Sequence, residues 1–180
     1  MMLANVGFGL LNLVSWNLEL TEVHRVSNIK KPYFPMFVDL SKKRVYVVGA
    51  GTIAKRRIRS LCEFVDCVTV IAPEVNPELN KMEKAEKIKI LRKKYESSDI
   101  YDAELVIAAT NDHKINEDIF RVCRERGILV NVCSDKDKCD FYFPGLITRE
   151  DVVVGVTANG ANHKRAKNVT EQIREMLEEC

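Results

Sequence analysis

Val45-Tyr46-Val47-Val48-Gly49-Ala50-Gly51-Thr52-Ile53-Ala54 is the stretch on which the fold of this chain turns. Its first four residues are a short, largely β-branched run that reads as a buried strand. The next six fit the pattern G-x-G-x-x-G/A, in which the first glycine permits a tight turn and the second lets a pyrophosphate approach the backbone. The small residue at the end, here Ala54, allows close helix packing. A helical pattern follows from about Thr52 to Phe64, with Ile53, Ile58, Leu61 and Cys62 on an apolar face beside Lys55, Arg56, Arg57 and Arg59. A helix in that place aims its unpaired N–H groups and the positive end of its dipole at phosphates. The hexapeptide alone is weak; directly after a strand it predicts a dinucleotide site on Gly49 and Gly51, against the competing reading of a purely structural turn.

Further along, Cys67–Ala72 reads as a second strand stopped by Pro73, and a lysine- and glutamate-rich segment leads to a third strand at Ile88–Leu91. Ala103–Thr110 is a strand, Lys114–Glu125 a helix closed by Gly127, and Ile128–Val132 another strand. Crossovers of this length suit parallel pairing. The alternation gives an α/β chain with a Rossmann-type doubly wound parallel sheet. After Cys139 the alternation breaks into an aromatic strand at Phe141–Pro144, a strand at Asp151–Thr157 and a charged helix over Asn162–Glu179. Two strands and one helix are too few for a core of their own. They are therefore expected to form a small C-terminal strand-helix dimerisation unit, with a partner copy covering the apolar surface of Phe141–Phe143. The expected organisation is an extension over 1–31, an NAD-binding Rossmann domain over 32–140 and the dimerisation unit over 141–180.

An acidic residue for the adenosine ribose is due about twenty positions after the glycines. Ala72 and Pro73 end the second strand and Glu74 follows, so Glu74 either reaches a ribose hydroxyl or is a solvated carboxylate at a helix N-terminus. No arginine stands at that turn to meet a 2′-phosphate, which favours NAD over NADP. Thr110, Asn111 and Asp112 end the fourth strand on the edge where ligands of such sheets bind, and Thr110 and Asn111 are candidates for the nicotinamide half of the crevice. Asp112 is the natural N-cap of the next helix.

In 180 residues, 28 Lys plus Arg against 26 Asp plus Glu leave a net charge of +2, which calls for no nucleic acid and no membrane surface as partner. The apolar run Met1–Trp16 is broken by Asn5, Asn12 and Ser15 and is shorter than a bilayer-spanning helix. The six cysteines lack the paired short spacings of a zinc site, so a reducing, cytoplasmic location is the simpler reading. No metal ligands are assigned.

Taken in order, Tyr33–Leu40 before the first strand, Ala54-Lys55-Arg56-Arg57 after the turn, Val68–Glu74, Ala108–Asp112, and Asn131-Val132 followed by Phe141–Pro144 resemble the precorrin-2 dehydrogenase and sirohydrochlorin ferrochelatase family. That module also forms the N-terminal part of multifunctional siroheme synthase. The resemblance covers the chain from about Pro32 onward, and the combination is more specific than any one piece. It implies NAD-dependent oxidation of precorrin-2, a tetrapyrrole, to sirohydrochlorin. It also implies a homodimer and NAD contacts at Thr52, Ile53, Pro73 and Glu74. Iron insertion, with Fe²⁺ as substrate, is implied less firmly, because longer members continue into a helical region beyond Cys180. The family's catalytic aspartate falls on Ser134 here, a departure, and Asp135 is the nearest carboxylate to take its place, with Asp137 and Asp140 in the same loop. A serine that some members phosphorylate falls on Ala158.

Hydride transfer to a nicotinamide with loss of a proton asks for a general base or orienting carboxylate, for which Asp135 is the candidate. Lys114, Lys136, Lys138, Arg149, Lys164 and Arg165 could supply cations for a polycarboxylate substrate, although each reads equally as a surface charge. Two other classes compete: a non-catalytic NAD-sensing module, which would bind NAD without turnover, and a chelatase without dehydrogenase activity.

Overall fold

The computed structural model describes residues 33–159 and 161–178. The extension expected over 1–31, including the apolar run Met1–Trp16, lies outside them, as do Gly160 and Cys180.

Five four-residue strands, β1 (Val45–Val48), β2 (Val68–Ile71), β3 (Ile88–Leu91), β4 (Leu105–Ala108) and β5 (Leu129–Val132), form one sheet. Their order is β3-β2-β1-β4-β5, and every adjacent pair is parallel. Side chains alternate between the two faces. Val45, Val47, Val68 and Val70 pack with Ala54, Ile58 and Leu61 of α1 (Thr52–Leu61) and with Leu79 of α2 (Pro77–Lys84). Val48, Ile71 and Val106 pack on the other face with Ile119, Val122 and Cys123 of α3 (His113–Arg126). Ile58, Leu79 and Ile119 are fully buried, and each such side chain contributes about 1.5–3 kcal/mol. This is the doubly wound sheet the alternation predicts.

Helix α1 ends at Leu61, earlier than its apolar pattern suggests, and Cys62 closes it. Gly127 stops α3 in the left-handed region, with φ of 69°, where glycine has no Cβ penalty. Helix α2 lies within the lysine- and glutamate-rich segment, where the apolar pattern predicts no element. Its start is nevertheless legible: Asn76 accepts a hydrogen bond from Glu78 N–H and Pro77 opens the first turn.

The aromatic segment is the main correction. Phe141–Pro144 is not a strand; the C-terminal hairpin pairs β6 (Gly145–Arg149) antiparallel with β7 (Val152–Val156). The residues before it are consumed in covering the sheet edge. Asp140 N–H donates to the Val130 carbonyl at 2.9 Å, the Asp140 carboxylate accepts from Val130 N–H at 3.0 Å, and Asn131 Nδ2 donates to the Phe141 carbonyl at 2.8 Å. Phe141 and Phe143 pack against the α1 side of the core, and Tyr142 stacks on Tyr33 with ring centroids 4.1 Å apart. Much of the apolar surface expected to need a partner is thus covered from within the chain, and an edge strand is blunted at the same time.

Helix α4 (His163–Glu178) rests on β6. Its buried Thr170 occupies the space where a Cβ on Gly145 would stand, and the Thr170 hydroxyl donates to the Ala166 carbonyl at 2.7 Å. The Thr148 hydroxyl donates to Glu63 at 3.0 Å, tying the hairpin to the segment after α1. Among the described residues no helix is long and apolar enough to cross a membrane.

Gly49 sits at the junction of β1 and β4. Its φ is 107°, and a Cβ there would collide with the Ala109 carbonyl. Gly49→Ala is expected to lower unfolding stability by roughly 2 kcal/mol or more, because backbone on both sides must shift. Urea denaturation followed by circular dichroism measures this.

Candidate dinucleotide and substrate site

The strand order reverses between β1 and β4, so a crevice opens above their carboxyl ends, the place where open α/β sheets bind ligands. Pro73 and Glu74 follow β2, Gly49 and Gly51 follow β1, Thr110 and Asn111 follow β4, and Ser134 and Asp135 follow β5, so the candidates share one edge of the sheet. Thr52 and Ile53 open α1 and are exposed, as are Pro73, Glu74 and Asn111.

The three helices that follow strands of the sheet begin differently. Asn76 caps α2. Asp112 caps α3, accepting from Lys114 N–H at 2.8 Å and Ile115 N–H at 3.3 Å, as its residue type predicts. Helix α1 begins at Gly51, which offers no side-chain cap, and its first turn holds no acidic residue. A Cβ on Gly51 would meet nothing. Among the described residues the first-turn N–H groups of α1 therefore have no side-chain acceptor, an arrangement suited to an anion. This fits the pyrophosphate of a dinucleotide.

On the other side of the crevice Asn116, 3% exposed, joins two strand ends. Its Oδ1 accepts from the Thr110 hydroxyl at 2.7 Å and from Thr110 N–H at 3.3 Å. Its Nδ2 donates to the Thr110 carbonyl at 3.1 Å and to Ser134 Oγ at 3.3 Å. Sequence reasoning missed Asn116. The signal was a polar residue on the same stripe of α3 as Ile119, Val122 and Cys123, where a buried amide needs partners.

The Asp135 carboxylate accepts from Asp137 N–H at 3.0 Å, closing a short 3₁₀ turn over Lys136–Lys138. It also lies 3.4 Å from Lys138 Nζ. Lys138 pairs with Glu117 as well, which commits one of the six proposed rim cations; Lys114, Lys136, Arg149, Lys164 and Arg165 are exposed. Asp140 is occupied by Val130 N–H and Arg124. His113 and His163 are exposed at the first positions of α3 and α4.

Cys133 and Cys139 flank the loop. Burial pushes both thiols up, against the pull of Arg57 at Cys133, so they are held as thiols rather than nucleophilic thiolates. Cys139 donates weakly to the Val132 and Asp135 carbonyls. Arg57, which is not among the rim cations read from sequence, reaches from α1 toward this loop. Its guanidinium lies 4.1 Å over the Phe143 ring and donates to the Phe143 carbonyl at 3.4 Å. Burial lowers its basicity and Cys133 opposes that shift. Among the described residues it has no carboxylate partner. Its neighbours on α1 differ: Arg59 pairs with Glu78 and Arg56 is exposed.

Residues 36–145 match the NAD_binding_7 family model, described as NAD(P)-binding. A probable multifunctional siroheme biosynthesis protein of Ruminiclostridium josui is 41% identical over 144 residues, covering 79% of this chain and 28% of that protein. A siroheme synthase of Mannheimia succiniciproducens is 37% identical over 145 residues, covering 81% of this chain and 30% of that protein. The chain thus spans about three tenths of the length of these curated relatives. Among solved structures, SirC, a precorrin-2 dehydrogenase, superposes with a TM-score of 0.70 at 28% identity, over 79% of this chain and 70% of that chain.

The space around Gly51 separates binding from stability. Gly51→Ala, at an ordinary extended φ of −77°, is expected to change unfolding stability by less than about 0.5 kcal/mol. It should weaken NAD about tenfold by placing a methyl group where the pyrophosphate approaches the backbone. Titration calorimetry beside thermal melting reads the two effects apart.

Proposed function

The chain belongs to the NAD(P)-binding family NAD_binding_7, and from this we propose that it oxidises precorrin-2 to sirohydrochlorin with NAD as hydride acceptor. The observation that carries the proposal is the uncapped start of α1 beside the strand-order switch, with Ser134 and Asp135 on the same sheet edge. The precorrin-2 dehydrogenase named among the structural relatives supports the choice of substrate.

In this reading Gly49 makes the turn, and Gly51, Thr52 and Ile53 present backbone to the pyrophosphate. Pro73 and Glu74 border the adenosine ribose, where a carboxylate accepts from hydroxyls and disfavours a 2′-phosphate, so NAD is preferred to NADP. Thr110 and Asn111 border the nicotinamide, which supplies the hydride acceptor when bound. Asp135 takes the proton that leaves the macrocycle. Its bond to Asp137 N–H holds one oxygen, and Lys138 Nζ, 3.4 Å from the other, orients the carboxylate. Arg57, half-buried and without a carboxylate partner among the described residues, joins the exposed lysines as a site for the substrate's carboxylates.

Residues 141–180 form the dimerisation unit of this proposal. The two-stranded sheet leaves Val152 44% exposed and α4 leaves Met176 59% exposed, apolar area that a second copy would cover.

Purified protein given precorrin-2 and NAD is expected to yield sirohydrochlorin and NADH in equal amounts, followed by absorbance. NAD binding without turnover would mean a sensor, and Fe²⁺ uptake by sirohydrochlorin without NAD would mean a chelatase. Asp135→Asn keeps an acceptor for Asp137 N–H and removes the charge, so kcat should fall on the order of 100-fold with the fold intact. Unchanged turnover would remove Asp135 as the base.

A further inference from the structure

The hydrogen bonds of Asn116 fix more than its own position. Thr110 N–H can only donate, so the atom facing it must be Oδ1; the Thr110 carbonyl can only accept, so the atom facing it must be Nδ2. The backbone of one residue therefore forbids an amide flip, and the side chain is almost wholly buried. Nδ2 has a second hydrogen, and at 3.3 Å it meets Ser134 Oγ. Ser134 must accept there. Its own single proton is left to donate elsewhere, and among the described residues no acceptor for it is found. Ser134 lies just past the carboxyl end of β5 and is exposed, so that proton is available to a ligand bound at this edge.

We infer that Asn116 is a positioning residue that makes Ser134 a hydrogen-bond donor to an acceptor oxygen of the ligand bound at this edge, a carboxylate of the tetrapyrrole. The inference rests on the proposed substrate and adds a division of labour to it. Ser134 contributes a donor that orients a carboxylate, and proton removal falls to a different group. A carboxylate at position 134 would also satisfy Asn116 Nδ2, but it would present a negative charge to a negatively charged ligand. The identity of residue 134 thus decides whether this point of the edge holds the substrate or acts on it.

Two measurements separate the hydrogen-bond direction from the substrate assignment. The first needs no ligand. In ¹⁵N–¹H spectra the Asn116 side-chain amide protons should exchange slowly with solvent. Ser134→Ala should shift one of the pair upfield and leave the other, bonded to the Thr110 carbonyl, in place. A pair that exchanges rapidly, or that ignores Ser134→Ala, overturns the inference whatever the substrate is. The second measures sirohydrochlorin affinity by its absorbance change and KM for precorrin-2. Ser134→Thr should behave as wild type, since it keeps the hydroxyl. Ser134→Ala should weaken binding about fivefold, the value of one ordinary hydrogen bond, with kcat changing less than KM. Ser134→Asp should weaken it further. Asn116→Asp replaces the donor facing Ser134 by an acceptor, turns the serine proton inward and should raise KM by a similar factor. Faster turnover in Ser134→Asp, or unchanged affinity in both Ser134→Ala and Asn116→Asp, overturns the donor role. If wild-type protein neither binds sirohydrochlorin nor oxidises precorrin-2, the substrate reading fails, and the inference of a carboxylate ligand at Ser134 falls with it while the spectra still settle the direction of the bond.

Discussion

The close approach of the chain leaving β1 to the chain leaving β4 is the constraint on which the carboxyl edge depends. Gly49 N–H bonds to the Ile71 carbonyl at 2.9 Å and Ala109 N–H bonds to the Val48 carbonyl at 2.8 Å, so the ends of β2, β1 and β4 are locked side by side. At that junction there is no room for a side chain on residue 49. Because β1 must turn there with a positive φ, the chain reaches Gly51 already aimed into α1, and the first turn of that helix opens beside the switch in strand order. The phosphate-binding arrangement is in this sense a consequence of how two backbones share one corner of the sheet.

From that corner the edge divides into two kinds of chemistry. A side-chain cap contributes about 1 kcal/mol to a helix; α2 and α3 have one, and α1 does not. Local stability is given up where a bound anion would restore it, the pattern expected of a functional site in an otherwise consistent fold. On the β4 and β5 side the backbone groups are satisfied by side chains, and the Ser134 hydroxyl proton is what remains to donate. Asn116 satisfies both backbone groups of Thr110 and reaches Ser134, and Asp135 closes its own turn. One half of the edge offers unpaired donors, and the other offers side chains whose hydrogen bonds are already directed.

The segment after β5 shows why local pattern misleads near an edge. Phe141-Tyr142-Phe143 has the composition of a strand, yet the polar residues around it, Asn131 and Asp140, fasten it along the outer side of β5 and turn its rings inward or onto Tyr33. The same placement brings Phe143 under Arg57, a contact of about 1–2 kcal/mol when partly desolvated. It leaves β6 to begin only at Gly145, after Pro144, which has no N–H to give to a ladder.

The sequence by itself determined the parallel sheet, the glycine turn and the Asp112 cap, because each is written in neighbouring residues. A β-branched run followed by Gly49-Ala50-Gly51 admits few conformations, and the alternation of strands and helices calls for right-handed crossovers between parallel strands. It also placed Gly51, Glu74, Thr110, Ser134 and Asp135 at strand ends. Only the tertiary structure decided that Asn116 joins Thr110 to Ser134, that Arg57 rather than Arg56 turns toward the loop, and that the aromatic segment covers β5 instead of pairing as a strand. These depend on side chains from elements far apart in sequence meeting in one place, and on buried polar groups finding partners there, which no local pattern encodes.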